Sequence, residues 1–231
     1  EAALEAAYKP WPELKRSSIR INATLPRVES SKVGQILERF PGADTVKIKV
    51  NDFERDSELV EAALEFNPDF KVRLDVNGGW NLDEALLNLY NYHLRFGEIF
   101  EYIEQPVLEI PDLIALKREI PMKIAIDESI RKALDSDFLQ ASEFADYAII
   151  KWAPSGGFFK AEKLIEKIGL PVVISSALDT GIGISHGLAL AASLTTESLA
   201  CGLATTSLFE SDVVKPEIEI SGGAIQVKRN E

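Results

Sequence analysis

Short apolar runs alternate with helix-like stretches along most of this chain. Five of those runs end on a charged residue: Lys49, Asp75, Glu104, Asp127 and Lys151. The ends are 26, 29, 23 and 24 positions apart by subtraction. Such an interval holds one strand, one helix and two short loops, the repeating unit of a parallel barrel. A barrel of this kind gathers the C-terminal ends of its strands around one mouth. Residues spread over about a hundred positions would then meet in one place, three carboxylates between two lysines. That set suits a divalent cation flanked by a base and a second positive charge.

Strand alternation says which way these charges point, because successive side chains face opposite sides of a strand. In Val46-Lys47-Ile48-Lys49-Val50 the apolar residues take one face and the lysines the other. Helices cover the outside of a barrel, so the apolar face must be the outer one and Lys47 and Lys49 turn inward. The same logic puts Arg73, Asp75 and Asn77 inside, then Phe100, Tyr102 and Glu104, then Asp127 and Lys151. Glu101 fits poorly, since it would face the helices. A lone lysine at a strand end is usually a solvated or snorkelling side chain, and interior ion pairs also occur in barrels without catalysis. Acidic groups on three successive strands with lysines on either side are harder to explain that way. An unpaired buried charge costs several kcal/mol.

Strands are predicted at residues 20–25, 45–50, 71–76, 99–104, 123–127, 147–151 and 171–175, with a weak eighth near 199–202. Helices are predicted between them, for example at 57–66, 82–95, 111–119 and 158–168. Eight strands is the count for a closed (β/α)8 barrel. The segment 216–228 alternates around Gly222-Gly223 and reads as a hairpin outside the barrel, a partner for sequence missing upstream of residue 1. A domain division follows: 1–18 as the end of a capping helix and linker, 19–210 as the barrel, and 211–231 as a segment packed outside it.

With 231 residues the chain is long enough for one barrel with a large core. A net charge of −12 argues against nucleic acid or an anionic membrane as partner. One cysteine, Cys201, excludes an internal disulfide, and only two histidines, His93 and His186, argue against a histidine-rich zinc site. No run reaches the ~18 apolar residues of a membrane span, and no signal peptide is visible, so a cytoplasmic protein is expected. The chain opens on a helix-like run at 1–7 and not on Met, which suggests upstream sequence.

The stretches Lys47-Ile48-Lys49, Arg73-Leu74-Asp75-Val76-Asn77-Gly78-Gly79-Trp80, Glu104-Gln105-Pro106, Asp127-Glu128-Ser129, Lys151-Trp152-Ala153-Pro154 and Ser175-Ser176-Ala177-Leu178-Asp179-Thr180, in that order and spacing, resemble the enolase superfamily. Within it the chain resembles the o-succinylbenzoate synthases, of the actinobacterial type, from about Leu4 onward. The resemblance implies a hydro-lyase of menaquinone biosynthesis. Its substrate is a cyclohexadiene carboxylate bearing a hydroxyl and a succinyl chain. It implies Mg²⁺, with Mn²⁺ as an acceptable substitute, on Asp75, Glu104 and Asp127. Lys49 is then the base and Lys151 its partner across the ring. Lys47, Arg73, Asn77, Ser175 and Ser176 would hold or orient the substrate, and Glu128 is a further candidate beside them. Superfamily members also carry an α+β capping domain that is almost wholly absent here, so this chain alone is expected to have little synthase activity. N-acylamino acid racemisation on the same scaffold and a non-catalytic barrel remain open readings, as does the oligomeric state.

A free lysine, with a pKa of about 10.4, is almost wholly protonated at neutral pH. A lysine base must therefore be depressed, and Lys47 and a metal would both act in that direction. The helix start after Ser176 offers either an anion site for the succinyl carboxylate or no more than a cap by Asp179 or Thr180. Asn22 and Thr24 could line the mouth or be ordinary strand polar residues. Trp80 could close over substrate or pack its helix. Lys123 has no account from sequence.

Overall fold

The computed structural model describes residues 12–132, 140–195, 199–215 and 217–227. The helical run expected at 1–7 and the outer ends of segment 216–228 lie outside them. Seven parallel strands form one sheet in chain order: β2 (Ala23–Leu25), β3 (Thr45–Lys49), β4 (Lys71–Asp75), β5 (Phe100–Glu104), β6 (Ile124–Ile126), β7 (Tyr147–Lys151) and β8 (Val172–Ser175). Helices follow most strands, among them Phe53–Phe66, Leu82–Phe96, Ile110–Glu119 and Phe158–Ile168. The Asp52 side chain accepts from Arg55 N–H at the first of these, and Asn81 and Glu84 form a reciprocal capping box at the second.

The weak eighth strand closes the ring. Cys201 N–H donates to Arg20 O at 2.8 Å, and Asn22 N–H donates to Cys201 O at 3.0 Å. On the other side Gly202 N–H donates to Ile174 O at 2.9 Å, and Ser176 N–H donates to Gly202 O at 3.0 Å. The segment is only bridge-length, yet it bonds both to β8 and to residues 20–22, which lead into β2. Gly202 is required there, since a Cβ would lie 2.5 Å from Ser175 Oγ.

Alternation sorts the apolar residues into two clusters. Val46, Ile48, Val72, Leu74, Ile103, Ile124, Ile126, Ala148, Ile150, Val172 and Ile174 belong to the large core under the helices. Tyr102, Ala125, Ile149 and Val173 form a separate cluster, the apolar filling inside the barrel. One expectation is corrected. Phe100 faces out, against Tyr92 and Phe96, with ring centroids 5.8 and 6.2 Å away. The cause is a register shift between β4 and β5, where Val72 pairs with Phe100 but Arg73 pairs with Tyr102. The extra residue is Glu101, and the bulge turns it to the inside, where it meets Arg73.

The C-terminal hairpin lies outside the barrel. β9 (Ile220–Ser221) and β10 (Ala224–Gln226) are antiparallel, and β10 pairs with β1 (Ser18–Arg20), which leads directly into the barrel. The hairpin thus pairs within the described chain. Gly223, at φ +72°, sits where a Cβ would meet Gly42 O at 2.2 Å.

Candidate active site

The register puts the charges in layers. Lys47 is level with Arg73, and Lys49 is level with Asp75, which is level with Glu104. Lys151 is level with Ser175 on the far side. In a ring of eight, β3 and β7 stand opposite each other, so Lys49 and Lys151 approach the mouth from two sides. Asp75, Glu104 and Asp127, on or just beyond the strands between them, are all buried.

The lysines are tied to these carboxylates. Lys47 Nζ donates to Glu104 Oε1 at 2.9 Å and lies 3.0 Å from Asp75 Oδ2, so one positive centre reaches both. Burial pushes the Lys47 ammonium toward losing its proton, but Glu104 and Asp75 outweigh it and hold its pKa well above the usual lysine value. Lys49 Nζ lies 3.7 Å from Asp75 Oδ2 and donates to Asn77 Oδ1. Lys151 Nζ donates to Asp127 Oδ2. Lys49 is the most open of the three, with 45% of its side chain exposed against 12% for Lys47 and 17% for Lys151.

Three lysines face three carboxylates at this rim, yet the carboxylates still crowd one another. Burial raises the Glu104 carboxyl to about 7, and the neighbouring Asp75 and Asp127 carboxylates add to the rise against the opposing pull of Lys47. Asp75 is held below its ordinary value: burial opposes ionisation, and the lysines, Lys47 first, overcome it. Asp75 Oδ1 is buried with no hydrogen-bond partner, as is Glu128 Oε2. Among the described residues no three acidic, histidine or cysteine side chains already converge as a metal cage. Lys47 and Lys151 instead sit against the carboxylates. The donor set nevertheless fits a hard divalent cation: three carboxylates, an orphaned oxygen and a proton affinity raised by crowded negative charge.

Backbone strain marks the same rim. Asn77 and Gln105 have φ of 53° and 41°, left-handed values that cost a non-glycine residue energy and concentrate at functional sites. Asn77 bridges two side chains, accepting from Lys49 and donating to Glu128 Oε1 at 3.1 Å. Glu128 is therefore joined to the rim through Asn77.

Other expected residues lie elsewhere. Arg73 is fully buried and turned down the barrel, away from the substrate that the resemblance had it hold or orient. Its Nε donates to Glu101 at 2.6 Å, and its Nη1 donates to Ala200 O at 2.7 Å and Asn22 Oδ1 at 3.1 Å. The guanidinium lies 4.7 Å from the Tyr102 ring centroid. Asn22 serves this interior network and does not line the mouth. Ser175 is on the inner rim beside Lys151, whereas Ser176 Oγ bonds to Thr205 Oγ1 at 2.8 Å. The helix Gly181–Ser193 is capped from a distance: Gly181 N–H donates to Asp212 Oδ1 at 2.9 Å, and the Thr180 side chain makes no cap bond. A carboxylate of the chain itself thus meets that helix start, which removes the case for an anion site or a local cap. Trp80 is buried and its Nε1 donates to Asn51 O at 2.6 Å, so it packs. Lys123 is exposed at the opposite mouth and donates to Tyr147 OH at 3.1 Å.

Residues 35–231 match the family model "Enolase C-terminal domain-like". The chain is 42% identical over 225 residues to o-succinylbenzoate synthase from Mycobacterium bovis (strain BCG / Pasteur 1173P2), covering 96% of this chain and 68% of that protein. The o-succinylbenzoate synthase of Mycolicibacterium smegmatis is also 42% identical, over 96% of this chain and 69% of its own length. Among solved structures, the L-Ala-D/L-Glu epimerase from Bacillus subtilis in a substrate-liganded complex superposes with a TM-score of 0.79 at 26% identity, over 93% of this chain and 62% of that one.

Proposed function

The chain belongs to the o-succinylbenzoate synthase family of the enolase superfamily, and from that premise we propose how its residues carry a Mg²⁺-dependent dehydration. The observation that supports this most is the pair of lysines on opposed strands, with three buried carboxylates on the strands between. Asp75, Glu104 and Asp127 would hold the cation. A divalent ion there supplies positive charge beside the substrate carboxylate, where loss of the α-proton builds a second negative charge.

The chain's own residues do the rest. Lys49, in its neutral form, takes the proton α to the carboxylate at Nζ. Asn77 and Glu128 fix the direction of that amine. Lys151 stands on the other side of the rim, and its ammonium stabilises the enediolate. The lysine that received the proton returns it to the departing hydroxyl, so water leaves, the ring becomes aromatic and Lys49 is again neutral. Lys47 keeps Asp75 and Glu104 together and adds positive charge below the substrate. Ser175, beside Lys151, is within the same rim and is the better placed of the two serines for a substrate oxygen.

The opposed lysines also suit two-base racemisation of an N-acylated amino acid, and the similar Bacillus subtilis structure is named as an epimerase. Parallel assays separate the two readings. The dehydration reading predicts aromatic product from the cyclohexadiene carboxylate with Mg²⁺ present and none with EDTA. Racemisation without dehydration would reverse the order of the two.

A further inference from the structure

Gln105 follows Glu104 directly, is fully buried and holds a left-handed backbone. That turn swings its carboxamide across to the end of β6. Oε1 accepts from Asp127 N–H at 2.9 Å and from Ser129 N–H at 3.0 Å. Nε2 donates to Ser129 Oγ at 2.6 Å and to Val107 O at 2.8 Å. Two acceptor sites and two donors are all that an amide has, and here every one is used inside the protein. Its backbone ties a third strand end, since Gly78 N–H donates to Gln105 O and Gln105 N–H donates to Ala125 O at 2.8 Å.

We propose that Gln105 is a positioning residue for the cation site, locking the strand ends that carry Glu104 and Asp127 at one spacing and direction. The proposal rests on reading Asp75, Glu104 and Asp127 as cation ligands. Carboxylates crowded at a buried rim repel one another, and without a tie the loops would relax apart. A charged clamp would compete with the cation or add to the repulsion. A neutral amide does neither. It also grips the backbone N–H of Asp127 and leaves both of that residue's carboxylate oxygens out of the clamp. Neither asparagine nor methionine can replace it: the first is one methylene too short, and the second fills the volume but makes none of the four bonds.

The test is Mn²⁺ titration by electron paramagnetic resonance on the full chain, with the unfolding midpoint of each metal-free variant measured in EDTA. Gln105→Met is expected to weaken Mn²⁺ binding by about 10–100-fold, the usual effect of removing a partner that orients a metal ligand. Ser129→Ala, which removes only one of the four bonds, is expected to weaken it less. Raising Mn²⁺ should restore kcat in Gln105→Met more than it does in a variant lacking a catalytic lysine. If Gln105→Met does not fold, Ser129→Ala carries the test. Wild-type Mn²⁺ affinity in the folded variant, with or without a lower unfolding midpoint, overturns the proposal. Failure of the wild type itself to bind Mn²⁺, or unchanged binding in Asp75→Asn, overturns both this proposal and the cation reading beneath it.

Discussion

Both mouths of the barrel carry charged side chains, and they do different things with them. At the N-terminal mouth a cavity of about 410 Å³ is lined by Lys71, Glu98, Glu101, Lys123 and Tyr147 among others. Glu101 is answered by Arg73, Lys123 reaches the Tyr147 hydroxyl, and Lys71 and Lys123 are open to water. At the C-terminal mouth the carboxylates are buried, one oxygen of Asp75 has no partner, and Glu104 sits at about 7. Charge at a strand end is therefore a poor sign of a site. Buried carboxylates that crowd one another even with lysines beside them, and that leave an oxygen without a partner, are a better one, because such crowding persists where something else is to be bound.

The largest expected effects break this comparison at the reactive end. Lys49→Ala and Lys151→Ala should each lower kcat by at least about 10²–10⁴-fold, the contribution of a positioned acid–base group, with circular dichroism unchanged. Near-normal turnover by either variant would show that the upper mouth is as inert as the lower one.

Next in size is the interior pair that joins the two ends. Arg73→Ala leaves Glu101 facing the inside of the barrel without its guanidinium, and breaking such a buried pair from one side costs about 3–5 kcal/mol. Urea unfolding measures it. A loss near zero would mean that water already solvates Glu101 through the lower cavity.

A smaller effect concerns pH. The folded state holds the Glu104 carboxyl at about 7, above its ordinary 4.5. The native state therefore binds a proton that the unfolded chain has released. Stability from this group is full below about pH 4.5 and is lost as pH rises through about 7. A cation on the carboxylate cancels that loss, whereas a proton displaces the cation. The rise in unfolding midpoint on adding Mn²⁺ should thus be larger at about pH 8 than at about pH 5. Equal shifts at both would uncouple Glu104 from the metal. The smallest effect is Lys123→Ala, which should leave both kcat/KM and the unfolding midpoint as they are; lost activity would place function at the lower mouth too.

Much of this was readable from alternation and spacing, and the exceptions have physical causes. Period-two patterning told the face of Lys49, Asp75, Asp127 and Lys151, because helices outside the barrel force one apolar side. It told the face of Arg73 but not its depth, and one layer separates a residue at the rim from one that pairs with Asn22 and Glu101 below it. The bulge at Glu101 broke the alternation, so the misfit noted there was a sign of the bulge itself. The closing segment around Cys201 and Gly202 was faint because it is only bridge-length and contains a glycine demanded by Ser175. The cap on the helix at Gly181 comes from Asp212, 31 residues away, and no local pattern encodes it. Gln105 reads as an ordinary polar residue after a strand, and only its four partners give it a role.

The upper mouth of the barrel, and not the lower, is proposed to be built for a divalent cation. A crystal structure with Mn²⁺, located by its anomalous scattering, tests it most directly. One ion is expected in contact with Asp75, Glu104 and Asp127, with Lys151 drawn back from the Asp127 carboxylate it now touches. An ion bound elsewhere, or no ion at that rim at saturating Mn²⁺, would contradict it.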